Sequence, residues 1–298
     1  MVAALFAASN TIGGIPLIIV LGIKSASDPQ VITRLAENPN DLSILGLDPN
    51  LYLVSMLFPF LIGLITFLLL IKPLNEKSLK RIINGTNSFR WNRLFVSGLV
   101  WIIVSAGYLV VSLIINPTNF LLNNLSVSLI PLIIISVLLI PFQAAFEEIL
   151  FRGYLMQGFA ILVRNRLFPL VMTSVIFALM HVLNPEVKEF GFLNMMPQYL
   201  LFGLIFGVIT ILDDGVEAAI GAHAANNIFL CIMVTNESSA LQTPALYEQI
   251  KVNPWADLAS MLIMGILVIL ILKLIFRWNN LSVLFRKAER NAPVTQMP

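Results

Sequence analysis

Charge is what this sequence has least of. Lys, Arg, Asp and Glu make up 11% of its 298 residues, against about 25% in a soluble domain. So few charges cannot clothe a water-facing surface, which excludes a soluble globular protein. Cysteine is nearly absent. The single Cys231 rules out an intrachain disulfide and any multi-cysteine metal site; it reads as a small packed residue in an apolar helix. Histidine numbers two, His181 and His223. There is no G-x-S-x-G element and no H-E-x-x-H, so neither a nucleophile-elbow serine hydrolase nor a zincin is read from the chain. What remains is 58% hydrophobic, with a mean hydropathy of +0.90. The fold class that follows is all-α, a polytopic membrane protein built as a bundle of about eight transmembrane helices.

The apolar runs fall in order. Residues 2–23 contain Gly13, Gly14 and Pro16, which predict a bent or broken helix. No Lys or Arg precedes this run, so a retained helix is expected over a cleaved signal peptide, although Ser25-Ala26-Ser27 resembles a cleavage site. Residues 51–72 and 94–115 are further spans. Between them lies a loop with Lys77, Lys80, Arg81, Arg90 and Arg93, which reads as a cytoplasmic loop under the positive-inside rule and not as a nucleic-acid site. Residues 125–163 are apolar for too long to be one straight span at 1.5 Å per residue, and Pro141 is expected to bend or break them. A basic turn at Arg164 and Arg166 follows. The remaining spans are 168–183, ending in His181; 197–212, with a Gly203–Gly207 pair suited to close packing; 216–234, carrying His223; and 255–277. A tail with Arg286, Lys287 and Arg290 completes the chain. Eight spans put the loop, the turn and the tail on one side. Both termini are then cytoplasmic, and the membrane is read as a bacterial inner membrane. The chain divides into N-terminal helices and basic loop (1–124), a core (125–234) and a last loop, helix and tail (235–298).

The stretch Phe146–Arg152, FEEILFR, stands out. Ionisable residues at membrane depth are costly and usually mark function. Glu148 and Arg152 are four apart and share a helix face, so Arg152 can hold Glu148 as a charge-assisted pair. Glu147 is rotated by about 100° and is the better general base. His181 and Glu147 lie at near-equal distances from the 164–167 turn, which puts them at similar depth in a helical hairpin. His223 and Asn227 also share a face. They suit an oxyanion hole or, alternatively, metal ligation by histidine with amide support. Their small neighbours, Ala219, Gly221, Ala222, Ala224 and Ala225, leave room for another helix or a substrate backbone. Together these groups describe water activation for acyl hydrolysis.

E-E-x-x-x-R at Glu147, Glu148 and Arg152, F-x-x-x-H at Phe177 and His181, and H-x-x-x-N at His223 and Asn227 resemble three motifs of one family. It is the CAAX-processing protease and bacteriocin-processing (CPBP, or Abi) family of intramembrane proteases, which includes the type II CAAX prenyl proteases. The resemblance covers about residues 125–234. It implies an eight-helix bundle with a cavity open to one side, and water activated by Glu147 and His181. It also implies an oxyanion held by His223 and Asn227, with Arg152 fixing Glu148 or contacting substrate. Family members are commonly labelled metalloproteases. Glu147, His181 and His223 could supply a two-His, one-Glu zinc site, or could act without metal; the sequence leaves both open. The implied partners are a membrane protein or peptide substrate and the lipid bilayer. Nothing in the chain points to a prenyl group. A non-catalytic binding or immunity protein on the same fold is the alternative, and an ion- or proton-coupled transporter a further one. Charge counting puts the 164–166 turn in the cytoplasm and Glu147 far from it if the helices are straight, whereas the resemblance implies a site reachable from that side.

Overall fold

The computed structural model describes residues 1–37, 42–76, 78–86, 88–123, 129–163, 165–278 and 281–287. Lys77, Arg164 and Arg290 lie outside the described residues.

Without water to satisfy it, backbone in hydrocarbon must pair with itself, and helices do this within one segment. The chain accordingly folds as α1 (Val2–Thr11), α2 (Ile15–Ser27), α3 (Val31–Glu37), α4 (Pro49–Asn75), α5 (Leu79–Ile83), α6 (Trp91–Ile115) and α7 (Leu129–Glu148). After a π-helical turn over Ile149–Leu155 come α8 (Met156–Val163), α9 (Leu167–Leu179), α10 (Pro185–Phe190), α11 (Phe192–Asp213), α12 (Glu217–Met233) and α13 (Pro254–Phe276). A small sheet of β1 (Phe120–Leu122), β2 (Val234–Thr235) and β3 (Tyr247–Gln249) is ordered β1-β3-β2, with β1 antiparallel and β2 parallel to β3.

Among the described residues, six helical segments are long and apolar enough to cross a membrane: Val2–Ser27, Pro49–Asn75, Trp91–Ile115, Leu129–Val163, Phe192–Asp213 and Pro254–Phe276. The protein is an integral membrane protein. Its outer helices turn large apolar side chains outward, among them Leu69, Ile114 and Leu274, as a lipid-facing surface requires. The first span is broken at Ile12–Gly14, as Gly13, Gly14 and Pro16 predict. The other two expected spans are helices, but short. α9 has 13 residues and α12 has 17; 13 residues rise only about 20 Å, less than the hydrocarbon thickness.

α12 tolerates its length because it is an inner helix. Glu217 through Asn226 are all buried, wedged between α6 and α7. The small residues that left room for a neighbour receive α6. A Cβ at Gly221 would stand 2.0 Å from the Leu94 carbonyl oxygen and 2.5 Å from Ser97 Oγ, so only glycine permits this approach. Gly203 does the same for α11 on α9, where a Cβ would meet Ser174 Cα at 2.8 Å.

Of the bend or break expected at Pro141, the break is absent from α7. The helix runs through it to Glu148. The departure from α geometry comes at the π turn directly after the two glutamates. A proline removes one i→i−4 bond; a π turn re-registers the whole ladder, and such turns are frequent at functional sites.

The basic stretches converge at one end of the bundle. Arg90 grips Glu217 through Nε–Oε1 (3.1 Å) and Nη2–Oε2 (2.6 Å). Asp213 takes Arg90 and Arg93 at 3.1 Å each and the Trp278 indole at 2.7 Å. Asn165 bridges to Lys287. At this end α5 folds back over the π turn: Ile82 is buried against Gly153, and Val216 N–H donates to the Ile83 carbonyl. The β-strands cap the other end.

Candidate active site

The site is assembled where α7 passes into the π turn. Glu148 is fully buried and Arg152 is 1% exposed. One turn apart, they pair at 2.8 Å through Arg152 Nη1 and Glu148 Oε1. Arg152 also donates from Nη2 to the Gly203 carbonyl (3.2 Å), and its guanidinium lies 4.6 Å from the Phe177 ring centroid, a cation–π contact. The pairing expected from i, i+4 spacing is therefore present, and it ties α7 to α9 and α11.

His223 reaches the same carboxylate from α12. Its Nδ1 is 2.8 Å from Glu148 Oε1, a bond that assigns the proton to Nδ1 because an ionised carboxylate only accepts. Its ring stacks on Phe206 at 4.7 Å and 13°. Nε2 then faces Glu147 Oε2 at 3.7 Å. The other oxygen of Glu147 accepts from Gln143 Nε2 at 2.9 Å; Oε2 accepts no hydrogen bond from the described residues.

Asn227, half-buried, donates to Gln143 Oε1 at 3.0 Å. Its own Oδ1 accepts from Asn226 Nδ2 at 2.9 Å, and Asn226 Oδ1 accepts from Trp101 Nε1 at 3.2 Å. His223 and Asn227 thus reach the two glutamates from one face of α12, directly and through Gln143.

His181 is placed differently from the hairpin reading. α9 ends at Leu179, and His181 sits in the turn beyond it, half-buried. Its Nδ1 lies 2.8 Å from the Phe177 carbonyl, and its ring stacks on Tyr199 at 4.3 Å and 22°. It makes neither hydrogen bond nor ion pair to Glu147; the imidazole beside Glu147 is His223. Equal spacing from a turn fixes depth but not rotation, and the end of α9 lets His181 swing to satisfy a free helix-terminal carbonyl. Phe177 links the two imidazoles, with ring centroids 4.7 Å from His181 and 6.1 Å from His223. The phenylalanine of F-x-x-x-H is thus the packing residue that seats Arg152 and both histidines.

Among the described residues, no three His, Cys, Asp or Glu side chains are grouped so as to hold a metal ion. Glu147, His181 and His223, the zinc set the resemblance allowed, are not grouped in that way. Nδ1 of each histidine is engaged, by Glu148 and by the Phe177 carbonyl, and Nε2 of each is left. The donor types suit zinc, but as placed the three do not form a zinc site.

Three participants escaped the sequence reading. Gln143 lies four residues before Glu147, on its helix face, and that polar side chain in an apolar run was a usable signal. Asn226 adjoins Asn227 and offered a weaker one. Trp101 lies in an apolar helix and gave none.

Comparison with known proteins agrees with the motifs. A family model described as type II CAAX prenyl endopeptidase Rce1-like matches residues 126–229. The uncharacterized protein YyaK of Bacillus subtilis (strain 168) is 29% identical over 233 residues, covering 75% of this chain and 77% of its own. No solved structure matches. Over the segment that builds this cluster, the chain is similar to the Rce1-like type II CAAX prenyl endopeptidases, a family of intramembrane proteases.

Proposed function

We propose that the protein is an intramembrane endopeptidase that hydrolyses a peptide bond of a membrane-associated protein or peptide with an activated water. The observation that carries this reading is Glu147 Oε2. It is a buried carboxylate oxygen without a hydrogen bond, held on a carboxylate whose other oxygen is pinned by Gln143. A lone pair presented this way, away from bulk water, is a general base in waiting.

The other groups take roles around it. His181 donates Nδ1–H to the Phe177 carbonyl, which leaves Nε2 bare on the rim to share the attacking water with Glu147. His223, its Nδ1–H on Glu148, turns its Nε2 edge toward Glu147 and the reacting carbonyl. Asn227 spends one amide hydrogen on Gln143 and keeps the second for that oxyanion. Glu148 and Arg152 orient His223. No step passes through a metal.

The test is cleavage of a membrane-anchored peptide library by purified protein in bilayers, wild type beside Glu147→Gln. Cleavage lost in the variant, with the helical fold intact, supports the reading. Cleavage retained in Glu147→Gln overturns it. A folded wild type that binds a membrane peptide and never cuts it moves the protein to the non-catalytic alternative.

A further inference from the structure

We propose that Trp101, Asn226 and Gln143 are positioning residues for Glu147, acting through a one-way chain of hydrogen bonds that crosses three helices. The chain starts on α6, where Trp101 Nε1 donates to Asn226 Oδ1 (3.2 Å). On α12, Asn226 Nδ2 donates to Asn227 Oδ1 (2.9 Å). Asn227 Nδ2 donates to Gln143 Oε1 on α7 (3.0 Å), and Gln143 Nε2 donates to Glu147 Oε1 (2.9 Å). Trp101, Asn226 and Gln143 are all buried.

The direction of this chain is forced by its ends. An indole N–H can only donate and an ionised carboxylate can only accept. Each amide between them must accept on the Trp101 side and donate on the Glu147 side. A side-chain amide is otherwise free to exchange its oxygen and nitrogen by a half-turn. Here, turning any one of the three would set oxygen against oxygen on one side and N–H against N–H on the other. In a buried site each of those mismatches leaves polar groups unsatisfied, which is costly.

Two consequences reach the chemistry. Glu147 is held through Oε1, so Oε2 is the oxygen left toward His223 and the reacting water. Asn227 is held with its nitrogen toward Gln143, so an N–H and not a carbonyl oxygen faces the place where negative charge develops. A donor-only group on a neighbouring helix thus sets the polarity of both the base and an oxyanion donor. Electrostatic preorganisation of this kind works only while the dipoles cannot turn. The inference rests on the proteolytic reading for its role, and on the hydrogen bonds alone for its existence.

The experiment uses Gln143→Leu, which cuts the last link, Trp101→Phe, which cuts the first and keeps an aromatic ring, and the double variant. On a cleaved peptide, Gln143→Leu should lower kcat by about 10–100-fold with KM unchanged. Trp101→Phe should lower kcat by a smaller factor, also at constant KM. The double variant should lose less than the product of the two single losses, because Gln143→Leu has already cut the link from Trp101 to Glu147, and only the hold on Asn227 is left to lose. Independent packing effects would instead multiply. A second readout needs no activity. The chain has four tryptophans, and the indole resonance lost in Trp101→Phe identifies Trp101 in a 15N-labelled sample. That resonance should shift in Gln143→Leu, across two intervening amides, and in Glu147→Gln, across three. If Gln143→Leu does not fold, the indole resonance of Trp101 in Glu147→Gln, identified by its loss in Trp101→Phe, still tests the chain. An unmoved indole resonance or multiplying rate losses overturns the chain. A resonance that moves in a protein that cleaves nothing supports the chain and sinks the proteolytic reading instead.

Discussion

At the scale of single residues, the two adjacent glutamates do opposite work. Glu148 is the partner of Arg152 and His223, and its removal leaves a guanidinium buried without its counter-ion. Breaking a buried pair from one side costs about 3–5 kcal/mol. Glu148→Ala and Arg152→Ala should therefore lose thermal stability in detergent along with activity. Glu147 is held more loosely, by the Gln143 amide at 2.9 Å and by His223 Nε2 at 3.7 Å. Glu147→Ala should abolish cleavage while unfolding within a few degrees of wild type. A destabilised Glu147→Ala beside a silent Glu148→Ala would reverse the roles. Asn227 is tested by kinetics. Loss of one oxyanion donor typically costs about 10²–10³ in rate, so Asn227→Ala should lower kcat steeply at nearly constant KM. Asn227→Asp should be slower still, since a carboxylate neither donates to Gln143 nor tolerates a nearby oxyanion.

At the scale of elements, the site depends on how closely α12 lies against α6. That approach is set by Gly221, whose missing side chain admits the Leu94 carbonyl and Ser97. Gly221→Ala places a methyl group where backbone already stands, and the helices must part. Overpacking of this kind costs about 1–3 kcal/mol. Because His223 and Asn227 are carried on the same helix within two turns, activity should fall together with melting temperature. Gly98→Ala, facing the same seam at 3.1 Å from the Gly221 carbonyl oxygen, should be milder in both measurements. Equal effects of the two changes would mean that the seam is not what positions the histidine.

At the scale of the whole molecule, the clasp of Arg90, Arg93, Asp213, Glu217 and Trp278 gathers the basic loop, the 213–217 turn and the C-terminal end of α13. From the positive-inside rule we propose that this end is cytoplasmic. His223 follows Glu217 by six residues, which places the cluster about 9 Å along α12 from the clasp. That shallow depth reconciles the charge count with a site approached from the basic end, where α5 covers the π turn. Reporter fusions in the 78–86 segment and after Lys287 should read as cytoplasmic, and one within 236–246 as external. Opposite readings would invert the orientation and move the approach to the other face of the membrane.

Sequence by itself determined what is local. Low charge and long apolar runs dictate a helical membrane protein, since a helix satisfies its own backbone in hydrocarbon and a β-barrel would show short alternating segments instead. The Glu148–Arg152 pair and the shared face of His223 and Asn227 follow from spacing on one helix, where backbone geometry fixes who stands above whom. The break near Gly13 and Gly14 is local in the same sense. Tertiary structure decided everything that needed two helices. It set His223 Nε2 against Glu147, because depth can be counted along a chain while rotation about a helix axis is settled by packing. It moved the irregularity of α7 from Pro141 to the π turn, where Arg152 must reach both Glu148 and the Gly203 carbonyl. It also recruited Trp101, whose indole N–H carries no signal in an apolar helix until another helix brings an acceptor to it.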